Sequence, residues 1–117
     1  MAFPNCKLMD LTGPLGFPDR VALGIVRGNE RFEVTRVTLK PNNEIQMTLF
    51  EFGNQEFIPF QNESQLRLGM NAVGNSQDLG ETIINAEDAS KGETTTRFRP
   101  AGISGPFYEL TYKVLPG

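Results

Sequence analysis

The sequence predicts an all-β fold: a single-domain antiparallel β-sandwich or barrel, jelly-roll-like, of about seven or eight short strands with an extended N-terminal arm. Three observations predict it. Apolar and polar residues alternate over short runs, as in Gln65 to Met70 and Phe107 to Leu115. Clusters of Gly, Pro, Asn and Asp separate those runs. No segment sustains an apolar stripe at i, i+3, i+4, i+7 for the length of a globular helix.

Taken in order, residues 1–20 read as the arm. Pro4, Gly13, Pro14, Gly16 and Pro18 interrupt it too often for a helix or a central strand. Leu8, Leu11, Leu15 and Phe17 are too apolar for a flexible linker, so the arm is expected to lie on its own sheet or on a neighbouring subunit. Residues 21–117 form the β domain. Val21 to Arg27 is a strand with small or apolar residues on both faces, and Gly28-Asn29-Glu30 is a turn. Arg31 to Leu39 and Glu44 to Phe52 are read as a β-hairpin joined by Lys40-Pro41-Asn42-Asn43, where Pro presets φ and Asn tolerates a turn. The apolar set of the first strand changes parity near Thr35-Arg36, which predicts a β-bulge.

Glu56 to Phe60 is a short edge strand interrupted by Pro59, and Gln65 to Met70 points Leu66, Leu68 and Met70 inward. Residues 71–92 read as a long polar loop holding one short strand or helical turn, with Glu87-Asp88-Ala89-Ser90 as that turn. Glu93 to Arg99 is a Thr-rich strand. Pro100 to Pro106 is a second Gly/Pro segment. Phe107 to Leu115 is a strand with Tyr108, Leu110, Tyr112 and Val114 on one face, expected inside a sheet.

The chain has 117 residues, enough for one domain whose core needs no disulfide or metal. Nine Phe and 38% hydrophobic residues argue against disorder. A net charge of −3, spread along the chain, argues against nucleic acid as a partner and against a polybasic membrane footprint. The apolar runs are too short to span a bilayer. Cys6 is the lone cysteine, so no internal disulfide or cysteine-rich zinc site is expected. The N-terminal residues lack the features of a secretory signal, which predicts cytoplasmic synthesis without a signal peptide.

The sequence contains no histidine, which removes Ser-His-Asp and Cys-His catalysis and most catalytic zinc sites. Cys6 lacks an evident base and reads as a small apolar side chain. Ser104 lies in a glycine-rich loop rather than in the Gly-x-Ser-x-Gly pattern of a hydrolase elbow. Glu33, Glu51 and Glu109 fall on solvent parities, and Asp78, Glu81, Glu87, Asp88 and Glu93 lack the spacing of a calcium loop. Asn62-Glu63-Ser64 is a glycosylation triplet without an export signal to support it. Arg31, Arg36, Arg97 and Arg99 read as partners in cross-strand ion pairs. No cofactor or metal site is expected.

These observations point to a non-enzymatic structural or assembly protein that works by contacts between protein subunits. Its concrete form is a virus or phage particle component, such as a capsid decoration or connector protein, placed in a virion. The expected partner contacts are Leu8, Leu11, Leu15 and Phe17 in the arm and Ile103 and Phe107 in the second Gly/Pro segment. The alternative is a small ligand- or carbohydrate-binding β-sandwich module using Tyr108, Tyr112, Asn71 and Asn75. An enzyme working with carboxylates, Lys or Tyr ranks last, because no constellation of them emerges.

Overall fold

A computed structural model describes residues 3–53, 56–99 and 107–117. Among them the alternating segments form ten strands: β1 (Asn5–Gly13), β2 (Arg20–Arg27), β3 (Glu30–Thr38), β4 (Lys40–Asn42), β5 (Met47–Glu51), β6 (Phe57–Pro59), β7 (Gln65–Ala72), β8 (Asp78–Asn85), β9 (Glu93–Arg97) and β10 (Glu109–Leu115). A 3-10 turn, Ala86–Ser90, follows β8. The strands pair antiparallel in two sheets. Sheet one has the order β4-β5-β1-β10-β9, with β6 pairing the start of β1; sheet two has the order β3-β2-β7-β8. The fold is an all-β sandwich, and no closed barrel forms. No helix among the described residues is long and apolar enough to cross a membrane.

The apolar faces meet between the sheets. Leu8, Leu11 and Leu110 from sheet one, and Val21, Leu23, Leu66, Leu68, Met70 and Ile84 from sheet two, have no solvent exposure and belong to one cluster. Each such side chain contributes about 1.5–3 kcal/mol by leaving water. In β10 the alternation is regular: Leu110, Tyr112 and Val114 are buried, while Thr111 and Lys113 between them are not. As expected, β10 lies inside a sheet, between β1 and β9.

The N-terminal segment departs from the expected arm. Residues 5–13 form the central strand of sheet one, bonded to β10 on one side and to β5 and β6 on the other. The reason is a bulge. Leu8 faces Tyr112 and Asp10 faces Thr111, so Met9 is an extra residue and the inward parity passes from Cys6 and Leu8 to Leu11 and Gly13. The interrupting residues sit where they do no harm: Pro4 and Pro14 flank the strand. Gly13 ends it where the Tyr108 ring lies, and a Cβ there would stand 2.7 Å from the ring.

The expected hairpin is also rearranged. β3 pairs with β2 through the Gly28-Asn29 turn, not with β5. The chain crosses from sheet two to sheet one at Leu39, whose buried side chain and N–H bond to the Asp19 carbonyl (2.7 Å) hold the crossing. Lys40-Pro41-Asn42 is extended and forms β4, where the missing N–H of Pro41 costs little at a sheet edge. The turn comes later. Asn42 Oδ1 accepts from Glu44 N (3.0 Å) and Ile45 N (3.4 Å), and Gln46 takes φ of 54°. The bulge in β3 is present: Leu23 faces Thr35 and Gly24 faces Glu33, which leaves Val34 extra.

Residues 71–92 hold more regular structure than the expected long loop with one short strand or helical turn. β7 runs on to Ala72, a turn follows, and β8 takes eight residues. A third bulge, with Leu79 extra between the partners of Met70 and Asn71, hides the alternation of β8. The helical turn falls where expected. Tyr112 donates to Asp88 Oδ2 (2.7 Å) and so ties the turn to β10, while Lys91 Nζ, 3.2 Å from Asp88 Oδ1, pairs within the turn's own end. Burial, and after it the bond to Asp88 and its charge, push the Tyr112 phenol well above its ordinary value, so it remains a donor.

Leu8→Ala is expected to lower the unfolding free energy by about 2–5 kcal/mol, the cost of a core cavity. Urea denaturation measures it. A change within about 0.5 kcal/mol, the scale of a solvated surface position, contradicts a central β1.

Candidate functional site

The expected contact residues divide. Leu8 and Leu11 are core residues with no exposure, and Phe107 is buried, so none of the three stands out from the surface as expected. The correction has two causes: β1 is a sheet strand rather than an arm, and Phe107 leads into β10. Ile103 lies outside the described residues. Leu15 and Phe17 stand out from the surface at 55% and 48% exposure.

The turn that carries these two is fixed at several points. Phe17 N donates to the Pro14 carbonyl (3.4 Å), and Gly16 takes φ of 85°, a conformation open to glycine. The Tyr108 hydroxyl donates to the Pro18 carbonyl, and the next carbonyl, that of Asp19, accepts from Leu39. Burial, with the nearby Asp19 carboxylate, pushes the Tyr108 phenol up to about 12, so it stays protonated and the anchor holds across the neutral range. At the start of the turn, Thr48 Oγ1 donates to the Gly13 carbonyl (3.0 Å). That same Gly13–Thr48 pairing brings the β4–β5 turn, with Ile45 at 46% exposure, to the same end of sheet one. Leu15, Phe17 and Ile45 thus mark one end of the sandwich.

The outer face of sheet two is polar and tightly bonded. Arg31 reaches from edge strand β3 across β2 and lies over Gly69 of β7, where a Cβ would collide with its guanidinium. Arg31 Nη1 donates to the Met70 carbonyl (3.0 Å) and to Asn71 Oδ1. Its Nη2 donates to Asp78 Oδ1 (3.0 Å), the Gly80 carbonyl (3.3 Å) and Glu81 Oε1 (3.3 Å), and Glu81 also receives Arg67 (3.1 Å). One side chain therefore clamps three strands. Partial burial opposes the charge of Asp78, but the Gly80 N–H and the Arg31 guanidinium outweigh it and hold its carboxyl below its ordinary value. That contribution to stability is present above the ordinary carboxylate range and fades as pH falls through the lowered value.

Beside Arg31 is a cleft of about 210 Å³, floored by Ala22 and Gly24 and rimmed by Glu33, Arg36 and Ser76. It is smaller than the roughly 300–1,000 Å³ of ordinary ligand sites. A larger open groove of about 750 Å³ lies where β8 and β9 meet. There the Glu81–Arg99 bridge and a Thr82–Thr96 hydroxyl bond join the two sheets. Its charges are largely spent on each other: Arg67 pairs with Glu81, and Arg97 Nε lies 3.0 Å from Glu109. The cross-strand ion pairs expected for Arg31 and Arg97 are thus present, and Arg36 pairs within its own strand with Glu33.

Among the described residues the arrangement does not bring together the groups of the other chemistries considered. Cys6 is buried and desolvation pushes its thiol up to about 12, which keeps it out of the nucleophilic thiolate form. Among the described residues no group of three or more His, Cys, Asp or Glu side chains is placed to hold a metal. Tyr108 and Tyr112 are core residues rather than a sugar platform. Asn71 is held by Arg31, and Asn75 accepts from Gln77 N (3.0 Å) inside its own turn. Asn62 likewise caps its turn by accepting from Ser64 N and Gln65 N, at 2.7 and 2.8 Å. The chain matches no protein-family model and no curated protein.

The Arg31–Gly69 contact predicts a specific non-additivity. Arg31→Ala and Gly69→Ala should each cost about 1–3 kcal/mol, through lost hydrogen bonds and through displacement of the guanidinium. In the Arg31→Ala background the cost of Gly69→Ala should fall to about 0.5 kcal/mol or less. A double-mutant cycle by denaturant unfolding measures this, and additive costs would show that the clamp does not form.

Proposed function

We propose that this is a non-enzymatic structural or assembly protein that works by docking onto other protein subunits. The reading is carried by one observation: Leu15 and Phe17 stand exposed on a turn pinned to the core by Tyr108 and Leu39. A loose loop would fold such side chains against the protein or leave them mobile. A pinned turn instead presents them in a set conformation, so docking loses little entropy. Ile45, exposed on the β4–β5 turn, adds a further apolar side chain at the same end of sheet one, and exposed apolar patches mark contact sites.

The concrete form is a component of a virus or phage particle, such as a capsid decoration or connector protein. Such a subunit needs a rigid β core, contacts at more than one surface and no catalytic centre. The buried Cys6 and the mutually paired surface charges are compatible with that role. Burial of Tyr108 and Tyr112 removes the aromatic surface on which the carbohydrate-binding reading depended.

Light scattering during size-exclusion chromatography tests the reading. The wild-type chain is expected to run above monomer mass, and Leu15→Ser with Phe17→Ser to reduce that mass while leaving the thermal midpoint within about 4 °C. A wild-type protein that is monomeric throughout, or an assembly unaffected by the double substitution, overturns docking through this turn.

A further inference from the structure

Sheet edges are where one chain can add to another. In sheet one the outer edges β4 and β6 are three residues each and contain Pro41 and Pro59. The edges of β8 and β9 converge at the Glu81–Arg99 bridge. β3 is different. It runs nine residues, and among the described residues it pairs with β2 alone. Phe32 and Val34 on it are 48% and 40% exposed.

The bulge at Val34 decides how this edge can be read by a partner. In a regular strand, residues three apart face opposite sides. Here Glu33 lies opposite Gly24 and Arg36 opposite Ala22, so the two share the outer face of the sheet. Arg36 Nε indeed donates to both carboxylate oxygens of Glu33, at 2.9 and 2.8 Å. Arg31 and Thr38 face the same way, while Phe32, Thr35 and Val37 face the other sheet.

We infer that two copies of this chain associate through β3, edge to edge and antiparallel, about a two-fold axis perpendicular to the sheet. The inference rests on the reading that the protein works by subunit contacts, and it names a second copy as one partner. Such an axis preserves sheet faces, so each residue must meet a residue of its own face in the other copy. Centring the axis on the bulge meets this condition: Glu33 lies opposite Arg36 of the second copy, Arg36 opposite its Glu33, and Phe32 opposite its Val37. Slipping the strands the other way about the bulge sets Arg31 against Arg36, two like charges. Slipping them forward sets Thr35 against Arg36, which face opposite sides. Parity and charge select the same register. The pairing covers Phe32 and Val34 and joins two four-stranded sheets into one of eight strands.

An isologous contact of this kind closes at two copies.

Charge exchange tests the register. Glu33→Arg places two arginines on the edge, and Arg36→Glu places two glutamates there. Both positions are exposed, and circular dichroism should show each variant folded. By sedimentation, wild type is expected to dimerise and each variant to associate about tenfold more weakly or worse. An equimolar mixture of the two variants should recover association to within about threefold of wild type, because every cross-strand pair is again of unlike sign. Three results overturn the proposal: a wild-type monomer at about 0.5 mM, single variants that associate like wild type, or a mixture that stays dissociated. A dimer that survives Leu15→Ser with Phe17→Ser but responds to the charge exchange sustains β3 and removes the turn as a contact. The reverse result removes β3 alone.

Discussion

Side-chain parity is the constraint on which the rest of this structure depends. A strand between two sheets must send apolar residues to one side and keep polar ones on the other. Three of these strands could not do so along their whole length without a correction. Met9 in β1, Val34 in β3 and Leu79 in β8 each supply one extra residue that resets the alternation. The first lets both Leu8 and Leu11 reach the core, and the second sets the outer-face pairing of Glu33 with Arg36. The third leaves Leu79 buried beside Gly80, whose φ of 113° is one that side chains rarely adopt.

From this layer the surface follows. Tyr108 is held in the core and extends its hydroxyl to Pro18, so the same ring that covers Gly13 also sets the turn bearing Leu15 and Phe17. On the opposite sheet, small residues make room for large ones. Gly69 accommodates Arg31, and Ala22 and Gly24 floor the cleft beside it. Among the described residues no buried side-chain nitrogen or oxygen lacks a hydrogen-bond partner. Outside this network, Leu15, Phe17, Phe32, Val34 and Ile45 are apolar side chains that stay exposed.

Much of the fold was legible where alternation is unbroken. β7 and β10 declare their inward faces in sequence, and β2 declares burial on both sides through Ala22, Gly24 and Val26. A bulge in β3 was legible as well, because Phe32 and Val37 lie on opposite parities yet are both apolar; it was expected near Thr35-Arg36, and the extra residue is the adjacent Val34. β1 was not, since Met9 breaks its pattern and Pro4, Pro14 and Pro18 stand close by. β8 was hidden for the same reason, with Gly80, Glu81 and Asn85 giving it the composition of a loop. Lys40-Pro41-Asn42 resembles a turn, but the turn is made by the Asn42 side chain reaching forward, which a residue pattern does not distinguish. Within the candidate site, Leu15 and Phe17 could be picked out as apolar residues on a Gly/Pro background. Leu8 and Leu11 met the same criterion and lie in the core. The Arg31 clamp left no local signal, because its partners are far away in sequence and the space for it comes from an absent side chain at Gly69.

Amide hydrogen exchange through β1 tests this account most directly. If a bulge at Met9 makes residues 5–13 a central strand, the Leu8 and Leu11 amides exchange only with global unfolding, at the rate of those in β10. If those amides exchange within the dead time while β2, β7 and β10 stay protected, the segment is a free arm and the parity argument fails.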